Sequence, residues 1–364
     1  MEFEYPDTVI ARRKSEHLRL VAEKDVLHSQ GTALGDVMLF PDALPELDFT
    51  DIKTDISFFG KTLSAPLMIT SMTGGADYAG KLNRALASAA GRHNIAFAVG
   101  SQRVMIRHPE VTQDFAVRRF IPDGVLLGNI GAVQLAEYPP KVIRKLIGDI
   151  DADGVCVHLN IAQELLQKEG HRRFKGISDY IGRLVDQLEG RVVVKETGAG
   201  LSPQCLQKLC SLGVKYIDVS GAGGTSWTKV EMHRAEDELL KRSGQTFADW
   251  GLPTAFCVVA ARKICNSETI VIASGGILNG LDAARAIALG ADMVGFARPA
   301  LLAFLNGGED GVGRLIDIFK NELRMAMLLT GAGDLRMLRK IPRLYGGRLR
   351  ELLDAYGWLN KAKK

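Results

Sequence analysis

The chain has 364 residues, of which 46% are hydrophobic and 24% charged, with a mean hydropathy of +0.04 and a formal net charge of +4. This composition excludes a disordered chain, supplies enough apolar mass for a sizeable core, and gives no general attraction to nucleic acid. The start, MEFEYPDTVIARRK, is acidic and then basic without an apolar centre, and no run of about 18 apolar residues follows, so neither secretion nor membrane spanning is expected. Cys156, Cys205, Cys210, Cys257 and Cys265 form no CxxC pair and no compact metal-ligand spacing. They read as reduced, mostly buried thiols of a cytoplasmic protein.

In chain order, eight short apolar segments bounded by glycine or polar residues read as strands: 65–72, 95–101, 124–131, 152–160, 191–198, 214–221, 269–276 and 291–298. Segments of helical periodicity separate them, such as YAGKLNRALASAAGRHN before the second and LDAARAIALGA before the eighth. Strands apolar on both faces and alternating with helices require a parallel sheet with covered faces. Eight in succession predict an α/β fold of the closed (β/α)8, or TIM barrel, kind, with an open doubly wound sheet as the alternative. One domain spans 1–364 in this reading: an N-terminal arm and lead-in over 1–64, the barrel over 65–305, and C-terminal helices over 306–364. The stretch GVGRLIDIFKNELRMAMLL is amphipathic and completes either the barrel wall or an interface. Arg336, Arg339, Lys340, Arg343, Arg348 and Arg350 read as a solvated helical face, since no aromatic platform accompanies them.

Each strand finishes in groups able to bond a ligand: Thr70 and Ser71, Ser101 to Arg103, Asn129, His158 and Asn160, Lys195 and Glu196, Ser220, Ser274, and Arg298. Barrels of this kind build their active sites at the carboxyl ends of the strands. Ser, Thr and Asn also end strands and cap helices, but that does not explain a lysine inside VVVKETG. Lys195 either lies beside an electron-rich ring or pairs with Glu196. After the seventh strand, Gly275 and Gly276 allow close backbone approach, and the helix start that follows would aim free N–H groups at an anion. SGAGGTSW after the sixth strand is a further ligand-facing turn, with hydroxyls at Ser220, Thr225 and Ser226. No GxxxxGK[ST] occurs, and no GxGxxG follows a first strand.

At these residues the sequence resembles the type 2 isopentenyl diphosphate isomerases, FMN-dependent (β/α)8 enzymes of isoprenoid metabolism. The matching segments are RKSEH (13–17), ITSMTGG (69–75), VGSQR (99–103), HLN with AQE (158–164), VKETGAG (194–200), DVSGAGGTSW (218–227), DWGLPT (249–254), and SGGI followed by GLDAARAIALGAD (274–292). The resemblance implies FMN held by Thr70, Ser71, Met72, Thr73, Ser101, Asn129, Lys195, Ser220 and Thr225, with its phosphate at Gly275, Gly276, Ile277, Ala297 and Arg298. It implies a prenyl diphosphate met by Arg13, Lys14, Ser101, Gln102, Arg103 and His158, with Gln163 beside the reacting carbons. Gln163 and His158 are thus the implied catalytic pair, and Glu164 the implied ligand of Mg2+. It further implies that FMN acts in its reduced form, maintained by NADPH or another reductant, and that the chain forms a homo-oligomer, a tetramer or larger. No nucleic acid or membrane partner is expected.

Three places depart from the family pattern. In QKEGHRRFKG, Lys168 stands for the usual proline and His171 for the usual acid, which predicts a more basic and looser loop over the site. In GGILN, Leu278 stands for the usual arginine, and after HLN, Ile161 stands for the usual proline. The basic loop motivates an alternative, an FMN-dependent reductase or cyclase acting on a related prenyl diphosphate. A hydroxy-acid oxidase is disfavoured because no histidine follows the seventh strand, and an inosine-monophosphate-dehydrogenase-like enzyme because GAGGTSW holds no cysteine nucleophile. A flavin-binding protein without catalysis and an RNA-binding protein complete the alternatives.

Overall fold

A computed structural model describes residues 9–72 and 77–359, with the backbone alone for 9–12 and 77. Thr73 lies outside the described residues. Eight parallel strands close into a barrel in chain order: β1 (Leu67–Ile69), β2 (Ala96–Ala98), β3 (Leu126–Gly131), β4 (Gly154–Leu159), β5 (Val192–Glu196), β6 (Tyr216–Asp218), β7 (Ile270–Ala273) and β8 (Met293–Phe296). β8 pairs with β1 through Val294 and Leu67, so no sheet edge remains and the open-sheet alternative is set aside.

The two-residue period of the strands sorts their side chains between two cores. Met68, Ala96, Ala98, Leu127, Cys156, Val193, Ile272 and Met293 fill the barrel interior. Their neighbours, among them Leu67, Ile69, Phe97, Val155, Val157, Val194 and Val294, face the surrounding helices. Both sets are buried, which is why the segments read as continuous apolar runs.

The amino end of the barrel is plugged. A hairpin of Ile56–Phe58 and Lys61–Leu63 turns through Phe59 and Gly60, both at positive φ (49° and 74°), as a two-residue primed turn requires. It inserts Phe58 and Leu63 into the interior core, stacks Phe59 on Tyr216 at 4.2 Å, and is fastened by Lys61 to Asp153 at 2.8 Å.

At the opposite end the N-terminal helix Val9–Glu23 lies over the mouth. Arg298 Nε donates to the Val21 carbonyl at 3.0 Å, and Arg234 Nε donates to Glu16 at 3.2 Å. The helix Arg298–Leu328 breaks at Gly307 and Gly308, and its second part buries Ile316, Phe319 and Leu323 against the barrel, with Phe319 stacked on Phe296 at 4.6 Å. That stretch therefore completes the barrel wall. Two of the C-terminal arginines are bound rather than solvated: Arg339 pairs with Asp292 at 2.9 Å, and Arg343 donates to the Tyr345 hydroxyl and to two carbonyls, while Arg336, Lys340 and Arg350 are exposed.

Candidate active site

The carboxyl ends of the strands and the N-terminal helix enclose a deep cleft, lined by residues from Arg13 to Leu301. Its floor is charged. Lys195 on β5 is 5% exposed, and its Nζ donates to the Glu196 main-chain carbonyl at 2.5 Å. The Glu196 carboxylate turns the other way and accepts the main-chain N–H groups of Thr197 and Gly198, each at 2.6 Å, and of Ala199. The side-chain pairing of Lys195 with Glu196 is therefore not formed, and the ammonium lines the cleft. Asp218, the register partner of Lys195 on β6, is fully buried. Burial pushes its carboxyl up, opposed by the Lys195 charge and by bonds from Ser274 Oγ at 2.7 Å and Ser220 N–H at 3.1 Å.

One wall is a glycine cradle. Gly275 (φ 95°) and Gly276 (φ 83°) pack backbone to backbone against the turn after β6. A methyl group on Gly275 would lie 2.1 Å from the Gly221 carbonyl, and one on Gly276 would lie 2.5 Å from Gly223. Ile277, Ala297 and Arg298 continue this wall, with Arg298 opening its helix. Thr225 and Ser220 line it from the β6 side, while Thr70, Ser71, Met72, Ser101 and Asn129 line the arc from β1 to β3. Ser226 does not face the cleft. It is 1% exposed, caps the helix Trp227–Arg234 and donates to the Ala248 carbonyl at 2.6 Å.

The opposite wall is cationic. The arm helix brings Arg13 and Lys14 beside Arg103, and Lys14 Nζ donates to the Ser101 carbonyl at 3.2 Å. Burial, then Arg13 and Arg103, push the Lys14 ammonium down to about 7, with Asp114 opposing. Burial and Arg13 likewise lower Arg103. The Arg13 Nε is buried with no hydrogen-bond partner among the described residues. Glu169 offsets part of this charge at Arg13, and the three cations together make the wall attractive to an anion. Gln102, expected beside them, points inward: it is fully buried, its Nε2 donates to the Leu146 carbonyl at 2.9 Å, and its Oε1 accepts the Asn129 N–H at 3.0 Å. It sits one position from Ser101 and Arg103 but on the other side of the chain, so its part is to hold the end of β3.

Between the two walls stand the polar groups that follow β4. His158 Nδ1 lies 2.7 Å from Asn129 Oδ1; burial, Lys195 and Arg103 push its imidazole down to about 3, so the ring is neutral. Gln163 is fixed at both ends of its amide: Oε1 accepts from Asn160 at 3.2 Å, and Nε2 donates to Glu231 at 3.0 Å. Glu231 was not singled out in the sequence. It is 2% exposed and also receives Gln167 at 2.7 Å and Arg234 at 2.6 Å, while His17 Nε2 lies 2.9 Å away. Burial alone would raise its carboxyl, but His17, Arg234 and Gln163 outweigh it and hold the group down at about 2. Trp227 and Glu231 are four apart on one helix and share a face, a spacing that does not by itself mark a buried anion. His17 meets Trp227 edge-on at 5.1 Å and lines the cleft.

Glu164 is 6% exposed and lines the cleft. Its Oε1 accepts from Asn160 at 3.1 Å, and its Oε2 accepts the His171 N–H at 2.7 Å. The loop carrying His171 is tied down, not loose. His171 bridges Glu164 and Glu137, Arg172 donates to the Glu164 and Gln167 carbonyls, and Glu169 pairs with Arg13 at 3.1 Å. His171 and Arg172 are thus bound within the protein, whereas Lys168, Arg173 and Lys175 stay exposed and keep the loop basic. Ile161 is 50% exposed and lies outside the cleft lining, whereas Leu278, 57% exposed, lines the cleft beside Gly275, Gly276 and Ile277. No cluster of three or more His, Cys, Asp or Glu side chains able to hold a metal occurs among the described residues.

A closed (β/α)8 barrel with a glycine-lined wall at the carboxyl ends of its late strands is an enzyme scaffold suited to a phosphate-bearing ligand, and residues 159–341 match the family described as FMN-dependent dehydrogenase. Structures of mandelate oxidase share the fold: the one with (S)-2-phenylpropionate superposes with a TM-score of 0.62 at 19% identity, covering 91% of this chain and 94% of that one. The kinship in sequence is more particular. Isopentenyl-diphosphate delta-isomerase of Methanothrix thermoacetophila is 42% identical over 95% of this chain and 96% of its own. The Synechococcus enzyme of the same name is 44% identical over 92% and 96%, and that of Pyrococcus furiosus 40% identical over 94% and 88%. The chain belongs to the isopentenyl-diphosphate delta-isomerase family.

Proposed function

We propose that the chain interconverts isopentenyl and dimethylallyl diphosphates, using FMN and consuming no net reducing equivalents. The observation that carries this reading is the pairing of two anion sites on one cleft, the glycine cradle for the cofactor phosphate and the Arg13–Lys14–Arg103 cluster for the substrate diphosphate, with the Gln163 amide between them. Arginine offers planar paired donors to phosphate oxygens, and Lys14 adds a compact charge. The neutral His158 lies 2.7 Å from Asn129 Oδ1 through Nδ1 and lines the cleft. Gln163, held by Asn160 and Glu231, orients the five-carbon chain.

The residues present fit FMN: the glycines after β6 and β7 pack backbone on backbone and so put bare main chain, not side chains, on the cleft wall where a phosphate would lie, and Lys195 supplies a cation at the floor. In its reduced form FMN supplies the proton donor and acceptor of the allylic shift. The same reading makes NADPH or another reductant the source of reduced FMN and places the enzyme in the cytoplasm as a homo-oligomer, a tetramer or larger. Mg2+ fits as an ion that arrives with the substrate. One buried carboxylate, Glu164, is too little for a resident site but enough beside diphosphate oxygens.

The test is an anaerobic incubation with FMN, dithionite, Mg2+ and isopentenyl diphosphate in heavy water, followed by NMR. Dimethylallyl diphosphate carrying solvent deuterium is expected, and none when the flavin stays oxidised. Bound flavin with neither product nor exchange rejects the isomerase reading; reduction or cyclisation of a longer prenyl diphosphate would favour the alternative. The cradle has its own check. Gly276→Ala places a methyl group 2.5 Å from Gly223 at a positive φ, and is expected to weaken FMN binding. The loss, about 10- to 100-fold on an overpacking cost of about 1–3 kcal/mol, is read by flavin fluorescence titration.

A further inference from the structure

Away from the cleft, on the outer layer of helices, two cysteines 55 residues apart in sequence meet: Cys210 Sγ lies 2.8 Å from Cys265 Sγ. Cys210 belongs to the helix Pro203–Ser211 that follows β5, and Cys265 caps the carboxyl end of the helix Thr254–Ile264 that precedes β7. Both are free thiols. At this separation the sulfurs are far inside ordinary non-bonded contact, so little backbone movement is needed to join them. Access is also graded. Cys210 is half-buried, whereas Cys265 is 7% exposed. Cys156 and Cys257 are buried, and no thiol partner stands beside Cys205 among the described residues.

We propose that Cys210 and Cys265 are a redox-active pair that closes into an intramolecular disulfide on reaction with a low-molecular-weight disulfide such as oxidised glutathione. The half-buried Cys210 thiolate attacks one sulfur of the oxidant and releases the first thiol. Cys265 Sγ then attacks Cys210 Sγ and expels the second. Two protein thiols are oxidised, one external disulfide is reduced to two thiols, and the two protein protons leave with them. Burial and the neighbouring Cys210 push the Cys265 thiol up, so Cys265 resists outside reagents and reacts when Cys210 has become a mixed disulfide.

The bond would close a loop that contains β6, the glycine turn over 221–224 and the helix carrying Glu231. It would also anchor the far end of the helix Thr254–Ile264, whose first residue donates from Oγ1 to the Gly275 carbonyl at 2.5 Å. The cross-link therefore braces the back of the cofactor cradle without entering it. Because a closed loop this long restricts the unfolded chain, oxidation is expected to raise the midpoint of thermal unfolding by roughly 5 °C.

The full-length, FMN-loaded protein is equilibrated in glutathione buffers from fully reduced to fully oxidised, denatured in alkylating agent, and analysed by intact mass and peptide mapping. Two fewer alkylated cysteines in the oxidised sample are expected, with the link mapped to Cys210 and Cys265, and with the rise in melting midpoint. Cys210→Ser and Cys265→Ser should each abolish both, and Cys205→Ser neither. Five alkylated thiols in the oxidised sample, a glutathione adduct on Cys210 without a cross-link, or a link through Cys205 would each overturn the proposal. None of these readouts depends on isomerase activity.

Discussion

Glu231→Gln is expected to lower turnover by about 100-fold while leaving FMN bound and the chain folded. The carboxylate receives Gln163, Gln167 and Arg234 and stands beside His17, so its charge fixes the amide that faces the substrate. Glutamine keeps the volume but offers an acceptor on one side only: its N–H groups confront either Gln163 and Gln167, which share one carboxylate oxygen, or Arg234, which uses the other. The Gln163 amide then loses its single orientation, and a misplacement of this size at the reacting carbons accounts for the loss. The check is kcat and KM with reduced FMN under anaerobic conditions, alongside flavin content. The fall should sit in kcat, because the diphosphate cations are untouched. Gln163→Ala should lose at least as much, and the double variant little more than the worse single one, since the two side chains act as a unit. Additive losses would separate Glu231 from Gln163.

Substrate affinity should fall as pH rises above about 7, by up to about tenfold per unit until the bound-state pKa is reached. The sign follows from Lys14, whose ammonium is held down to about 7 by burial, Arg13 and Arg103. In the free protein the lysine is charged below that value and neutral above it. A bound diphosphate favours the charged form and raises the pKa, so binding takes up a proton between the free and bound values and the complex weakens as protons become scarce. The last proton of a phosphate ester leaves near pH 6, so the ligand contributes no slope of its own in this window. Calorimetry in two buffers of different ionisation heat counts the proton directly. Lys14→Arg keeps the charge and removes the titration, and its affinity profile should be flat from pH 7 to 9. A slope that survives in Lys14→Arg assigns the proton elsewhere.

The eight strands were readable because burial on both faces leaves an uninterrupted apolar run whatever the strand length, and β1, β2 and β6 have three residues each. The short pairings were not. The hairpin of Ile56–Phe58 and Lys61–Leu63, and the antiparallel contact of Val37–Leu39 with Arg343–Tyr345, carry no periodicity long enough to mark them. The same division runs through the cleft. Glycines at positive φ and a lysine inside an apolar strand are informative locally, so the cradle and Lys195 could be placed. Glu231 could not, because its burial as an anion depends on His17 from the arm and Gln163 from another loop. Gln102 and Ser226 failed for a related reason: a residue type within a motif does not fix which way the side chain turns.

The plug at the base of the barrel turns the molecule into a vessel with a sealed bottom. Phe58 and Leu63 fill the amino end and Phe59 lies flat on Tyr216, so nothing approaches the floor from below. Access is therefore from the carboxyl end, where the arm helix brings Arg13 and Lys14 into the cleft lining beside Arg103. In the proposed function, the cations that would meet the diphosphate thus stand in the one cleft that substrate and cofactor share.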